Sequence, residues 1–292
     1  MHFVVTGASG LIGQALAREL RSRGASITGV SRTPLGPTGD GITWVPWDGL
    51  ADAVSSAQAV FHLAGAGIAD KRWSEARKRE LRTSRTKTGQ RIVEAIQGAA
   101  EKPSVFVSAS AVGIYGDRGD EVLTEESSDG EGFLADLCRD WETSVQDSGV
   151  RTVILRIGLA LSNDGGFLKR QLLPFKLGLG GPIGSGRQYI PWIHEHDLVR
   201  MLLWATENNA VEGVYNASAP EPRTSKEVAK ALGRQLHRPA ILPIPPAIFK
   251  PLLGEGAALM TTSNRVIPER AQEAGFEFEF PSLEGALADL LG

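Results

Sequence analysis

An α/β fold, a doubly wound parallel sheet with a smaller C-terminal lobe, is what this 292-residue sequence predicts, and three observations carry the prediction. Short apolar runs alternate with stretches whose apolar residues recur at helical spacing, which implies right-handed crossovers between parallel strands. Three glycines, Gly7, Gly10 and Gly13, join an apolar run ending at Thr6 to an amphipathic stretch carrying Leu11, Ile12, Ala15, Leu16 and Leu20. Beyond residue 160 the alternation gives way to glycine-rich and then proline-rich composition, which sets a second lobe apart.

The opening unit, His2 to Leu16, reads as strand, tight turn and helix. Glycines in such a turn allow a sharp reversal, close backbone approach to a pyrophosphate, and close packing of helix on strand. The helix N-terminus adds free N–H groups and the positive end of its dipole. Together these place a dinucleotide pyrophosphate over Gly7, Ser9, Gly10, Leu11, Ile12 and Gly13, in a Rossmann-type domain. A second strand over residues 26–30 ends in Ser31 and Arg32. An acidic residue there would accept from a ribose 2′-OH, whereas arginine suits a 2′-phosphate, so the expected cofactor is NADP(H).

Residues 33–49 are rich in Gly, Pro and Asp and read as a loop with a short strand at residues 43–45. The run from Ala59 reads as a buried strand ending in Leu63, Ala64 and Gly65, small enough to lie against the cofactor's adenosine side. His62, inside that run, reads as a packed strand residue rather than a catalyst. A long helix is expected from Trp73 to Ile96. Between Lys71 and Arg91 nine Lys and Arg stand against two Glu, a local charge of +7. Such a run is a solvated face in the main; Arg85 is the expected phosphate or ribose contact, with Glu80 beside it.

A fifth strand over residues 104–109 runs into the segment Ser110 to Gly116, followed by an acidic loop from Asp117 to Glu131. A helix is expected from Gly132 to Asp147 and a buried strand from Thr152 to Ile157. Residues 177–188 then hold five glycines in twelve positions, which suits close approach to a ligand or a gating motion. Helices near residues 225–237 and 282–291 flank a proline-rich stretch. The expected division is a cofactor domain over residues 1–165 and about 190–220, with residues 166–189 and 221–292 as a substrate lobe.

With 42% hydrophobic residues the chain can bury a large core. A net charge of −3 and a pI near 6.0 argue against a general nucleic-acid or membrane-surface binder, leaving a small-molecule substrate. Cys138 is the one cysteine, so an intrachain disulfide and a thiolate metal cluster are excluded, which fits a reducing compartment. No leader and no apolar run of about 18 residues is present, so a cytoplasmic location is the expectation.

The segment Thr6 to Gly13 is similar to the T-G-x-x-G-x-I-G fingerprint of extended short-chain dehydrogenases/reductases, the branch of nucleotide-sugar epimerases and dehydratases. Leu63-Ala64-Gly65 resembles their fourth-strand end, Ser110 to Gly116 their S-S-x-x-V-Y-G segment, and Trp192 to Asp197 their F-V-H-V-x-D segment. Closer still is the atypical "epimerase family protein" (YfcH-like) branch, on three elements. These are the sixteen residues Leu173 to Gln188, the triplet Trp192-Ile193-His194, and the stretch Pro268 to Phe276. The resemblance spans nearly the whole chain and implies NADP binding with an unassigned substrate.

The superfamily's chemistry rests on Tyr-x-x-x-Lys, in which the ammonium lowers the tyrosine pKa from about 10 so that it exchanges a proton with the substrate oxygen. Four residues after Tyr115, Tyr189 and Tyr215 stand Gly119, Ile193 and Ala219, none of them lysine. Aligned on the acidic loop and the following helix, the motif falls on Phe133 and Leu137. The superfamily's Ser or Thr falls on Ala111, one place from Ser110. The arginine that pairs with a nucleotide diphosphate falls on Ile190, with Arg187 nearby, which weakens a nucleotide-sugar substrate. The resemblance thus implies an epimerase/oxidoreductase-like protein with Tyr115, Ser110 or His194 as candidate proton donor. The alternative is a non-catalytic NADP(H)-binding sensor or scaffold.

Overall fold

Seven strands build the central sheet: β1 (His2–Thr6), β2 (Ser26–Ser31), β3 (Ile42–Pro46), β4 (Ala59–His62), β5 (Val105–Ala111), β6 (Arg151–Ile157) and β7 (Gly213–Ala217). The computed structural model describes residues 1–33 and 39–292, so residues 34–38 of the expected loop lie outside the described residues. All seven strands are parallel, in the order β3-β2-β1-β4-β5-β6-β7. The order reverses between β1 and β4, and a doubly wound sheet opens its ligand crevice at that reversal, outside the carboxyl ends of the strands. The register keeps those ends level: Thr6 pairs with Val30 on one side and His62 on the other, and His62 pairs with Ser108.

The crossovers carry α1 (Leu11–Ser22), α2 (Leu50–Val54), α3 (Glu75–Gly98) and α4 (Phe133–Thr143). Between β6 and β7 lie α5 (Gly166–Lys176) and α6 (Glu195–Glu207). Strands buried on both faces read as continuous apolar runs, and Val4, Val5, Val60, Phe61, Val105, Phe106 and Val107 are fully buried. Ala15, Leu16 and Leu20 of α1 and Ile92 and Ile96 of α3 close on them.

Boundaries moved where a cap or a turn overrode periodicity. Ser74 caps α3 by accepting from the Arg77 amide, so that helix begins after Trp73. The strand expected to end at Ala109 continues to Ala111 and takes in Ser110, which pairs with Arg156. The helix expected to reach Asp147 stops at Thr143. Periodicity did not reveal α5, whose pattern is interrupted by Pro174. The helix ends where Gly178, at φ +74°, lets the Leu179 amide return to the Pro174 carbonyl.

After β7 come α7 (Ser225–Gln235), α8 (Lys250–Leu253), α9 (Glu269–Glu273) and α10 (Leu283–Leu291). Thr224 and Glu227 form a capping box that starts α7. A second apolar core joins α5, α7 and α10 through Leu168, Phe175, Val228, Leu232, Leu283 and Leu287.

Candidate functional site

The turn after β1 is built around the backbone. Gly7 has φ +75°, and a Cβ there would stand 2.6 Å from the Leu63 carbonyl carbon. A Cβ on Gly13 would run into the Gly7 carbonyl, so both glycines are required by contact between α1, its turn and the end of β4. The Gly10 amide donates to the Gly7 carbonyl at 2.9 Å and closes the turn. Gly10 caps α1 without a side chain and no acidic residue stands in the first turn. Helix geometry leaves the amides of Leu11, Ile12 and Gly13 without intrahelical carbonyls, next to the exposed Ser9 and Gly10. This is a ready anion cradle at the switch point of the sheet, with Leu63 and Ala64 as its opposite wall.

At the end of β2, Ser31 is half-buried and Arg32 exposed. Glu80 of α3 is ion-paired with the buried Arg77 at 2.7 Å, not with Arg85. That hydrogen bond, with smaller effects from the charges of Lys71 and Arg32, holds the Glu80 carboxyl below its ordinary range. Arg32, Lys71 and Arg77 therefore share one neighbourhood, where the expected 2′-phosphate would sit.

Arg85 lies behind the strand end rather than across the crevice. Its guanidinium donates to the Leu81 and Ala66 carbonyls at 3.0 and 3.1 Å, stacks 5.0 Å over Trp141, and would touch a Cβ on Gly65 at 3.1 Å. Burial lowers its pKa. His62 is fully buried, as a packed strand residue should be. Its Nε2 faces the Arg85 carbonyl at 3.3 Å, which leaves Nδ1 to accept from the Thr6 hydroxyl at 3.1 Å. Burial takes its pKa from the ordinary 6.5 to about 4.

The three candidate proton donors are enclosed, two of them, Ser110 and Tyr115, in one hydrogen-bonded network and His194 apart from it. Ser110 donates to Glu142 Oε1 at 2.7 Å, and Arg156 binds both oxygens of the same carboxylate at 2.9 and 3.0 Å. Arg156 also donates to the Tyr115 hydroxyl at 3.0 Å, which in turn donates to Asn216 Oδ1 at 2.7 Å. Burial raises the Tyr115 pKa, and the Arg156 charge only partly opposes it. For Arg156 itself, burial alone would lower the pKa, but the hydrogen bonds and charge of Glu142 more than reverse it.

His194 caps α6, its Nδ1 accepting from the His196 amide at 3.0 Å, while its ring stacks on Phe280 at 4.0 Å. Its Nε2 lies 3.3 Å from Asp289. Burial lowers its pKa against the pull of that carboxylate.

Where the Tyr-x-x-x-Lys pair would fall, the structure has an apolar cluster. Phe133 meets Trp73 edge-on at 5.1 Å, and Leu137 is buried with Trp73 and Leu81. The end of α8 and the segment that follows it meet its margin: the Trp73 amide donates to the Leu253 carbonyl at 2.9 Å, and Glu255 pairs with Lys78. The Glu142–Arg156 pair went unread in the sequence. Its signal was a charged residue, Arg156, inside a buried strand, which requires a partner. Among the described residues no group of three or more His, Cys, Asp or Glu is set to hold a metal. Nor is any helix among them long and apolar enough to cross a membrane.

Residues 3–218 match the model of the NAD dependent epimerase/dehydratase family. The chain belongs to that family. The family match spans β1 to just beyond β7, and residues 244–290 match a separate domain of unknown function, DUF1731. An Arabidopsis thaliana chloroplastic homolog of the epimerase family protein SDR39U1 is 38% identical over 302 residues, covering 100% of this chain and 87% of that one. A Mycobacterium tuberculosis epimerase family protein is 39% identical over 290 residues, 97% of this chain and 95% of that one. The crystal structure of human epimerase family protein SDR39U1 (isoform 2), which contains NADPH, superposes with a TM-score of 0.93. It is 37% identical and covers 100% of this chain and 99% of that one. These matches bear out the resemblance to the epimerase family proteins and the Rossmann-type fold.

Proposed function

We propose that this family member binds NADP(H) across the carboxyl ends of β1, β2 and β4 and acts as an epimerase/oxidoreductase-like protein on a small-molecule substrate. The observation that carries the reading is the glycine cradle, in which side chains at Gly7 and Gly13 would collide with backbone while the first amides of α1 remain open. The pyrophosphate rests on Gly7, Ser9, Gly10, Leu11, Ile12 and Gly13. Ser31 and Arg32 take the 2′-phosphate, and Leu63, Ala64 and Gly65 line the adenosine side. Arg85 stiffens that wall from behind, and Glu80 orients Arg77 beside the phosphate. The human relative's NADPH agrees with the choice of cofactor. Residues 166–189 and 221–292 supply the substrate side. The bound cofactor would supply or accept hydride; the protein would position it and exclude water through Trp73, Phe133 and the segment after α8.

A second reading, a non-catalytic NADP(H)-binding sensor, is favoured by one observation: Ser110 and Tyr115 are buried and already hydrogen-bonded to protein partners. The test follows the near-ultraviolet absorbance of bound NADPH with a panel of aldehydes, ketones and sugar nucleotides. Turnover that disappears in Tyr115→Phe or His194→Ala supports the enzyme; tight NADPH binding with no carbonyl reduced supports the sensor.

A further inference from the structure

Apart from Met1 and Val122, every exposed large apolar side chain among the described residues lies in two segments, 173–179 and 241–252. All are leucine or isoleucine, 53% to 80% exposed. The chain brings the flanks of the two segments together. Arg238 donates to the Lys176 carbonyl at 3.0 Å, the Ile244 amide to the Pro182 carbonyl at 2.8 Å, and the Gly184 amide to the Ile244 carbonyl at 2.9 Å. Exposed leucines and isoleucines gathered in two segments whose flanks meet mark an interaction site.

Its charge is as unusual as its apolarity. Residues 166–188 and 228–254 hold eight Lys and Arg and no Asp or Glu, in a chain whose net charge is −3. The carboxylate bonded to this set is Asp70, against Arg170 at the margin. Next to Ile241 a cavity of about 400 Å³ is lined by Lys230, Arg234, His237 and Arg238, again without an anion. The net charge averages this asymmetry away, which is why composition alone argues against any charged surface as partner.

We propose that this face docks on an anionic lipid bilayer surface. The leucines and isoleucines enter the interface, and the cations meet headgroup phosphates, one of them seated in the cavity beside Ile241. A second copy is a poor occupant, because a two-fold contact brings the same patch against itself and would set cations against cations.

The test is co-sedimentation of the full chain with vesicles of phosphatidylcholine alone and of phosphatidylcholine with phosphatidylglycerol. Binding is expected only to the anionic vesicles and falls with added salt. Leu177→Asp/Ile241→Asp and Lys230→Glu/Arg234→Glu should each lower it at least about tenfold. All four side chains are exposed, so thermal unfolding should match the parent. Should one pair melt early, the other and Leu252→Asp carry the comparison. Equal binding to neutral vesicles, no binding to anionic ones at low salt, or full binding by both pairs overturns the proposal. So does a concentration-dependent dimer that Leu177→Asp/Ile241→Asp abolishes.

Discussion

At the start of α1, Gly10 caps the helix without a side chain and the amides of Leu11, Ile12 and Gly13 are left open. At the carboxyl ends of β5 and β6, the polar groups of Ser110, Glu142, Arg156 and Tyr115 are bonded to one another in the interior. Both regions border the same edge of the same sheet. The first keeps its hydrogen-bonding capacity for something outside the protein, and the second uses it to hold two strand ends against α4. A binding site is recognised by donors that the fold leaves open, and a structural network by donors that it closes. The family fingerprint marks the first kind and says nothing of the second.

That contrast breaks most sharply at Glu142. Glu142→Leu leaves the Arg156 guanidinium buried without its partner and should cost about 3–5 kcal/mol of stability, with little change in NADPH affinity. Denaturant unfolding and an NADPH titration of the same variant check both halves. A large loss of affinity would mean that the two regions are not separate.

His62 sits between them, touching Thr6 on one side and the Arg85 carbonyl on the other. Folded, it stays neutral down to about pH 4, whereas the unfolded imidazole protonates near 6.5. Its lowered pKa means that stability is full above pH 6.5 and declines as pH falls toward 4, by about 3 kcal/mol. In His62→Gln, unfolding followed across that window should lose this slope. An unchanged slope would place the acid sensitivity elsewhere.

Gly13→Val puts a side chain against the Gly7 carbonyl and should weaken NADPH about a hundredfold, about 2.7 kcal/mol. Fluorescence titration reads it, and a loss under fivefold would show that the turn relaxes around the added atoms.

The first of the two regions was legible in the sequence because turn, strand end and helix start lie within one short stretch, and glycine spacing reports local backbone needs directly. The parallel, doubly wound character of the sheet followed from the alternation of runs, while the order of its strands did not. The second region was not legible, because Ser110, Glu142, Arg156 and Asn216 come from four separate elements, and only the folded sheet brings them together. Glu80 was expected beside Arg85, but the side chain turns instead to Arg77, a neighbour three residues away on the same helix. Helix α5 escaped notice because Pro174 breaks its pattern, although its chain reversal at Gly178 supplies the close.

The central claim is that the open cradle and Arg32 together hold a 2′-phosphorylated dinucleotide. Paired titrations of NADPH and NADH into the wild-type chain and Arg32→Ala test it directly. The account predicts that the variant's Kd for NADPH rises about tenfold, about 1.4 kcal/mol, while its Kd for NADH stays where it was. Equal losses for both cofactors, or no loss for either, would contradict it.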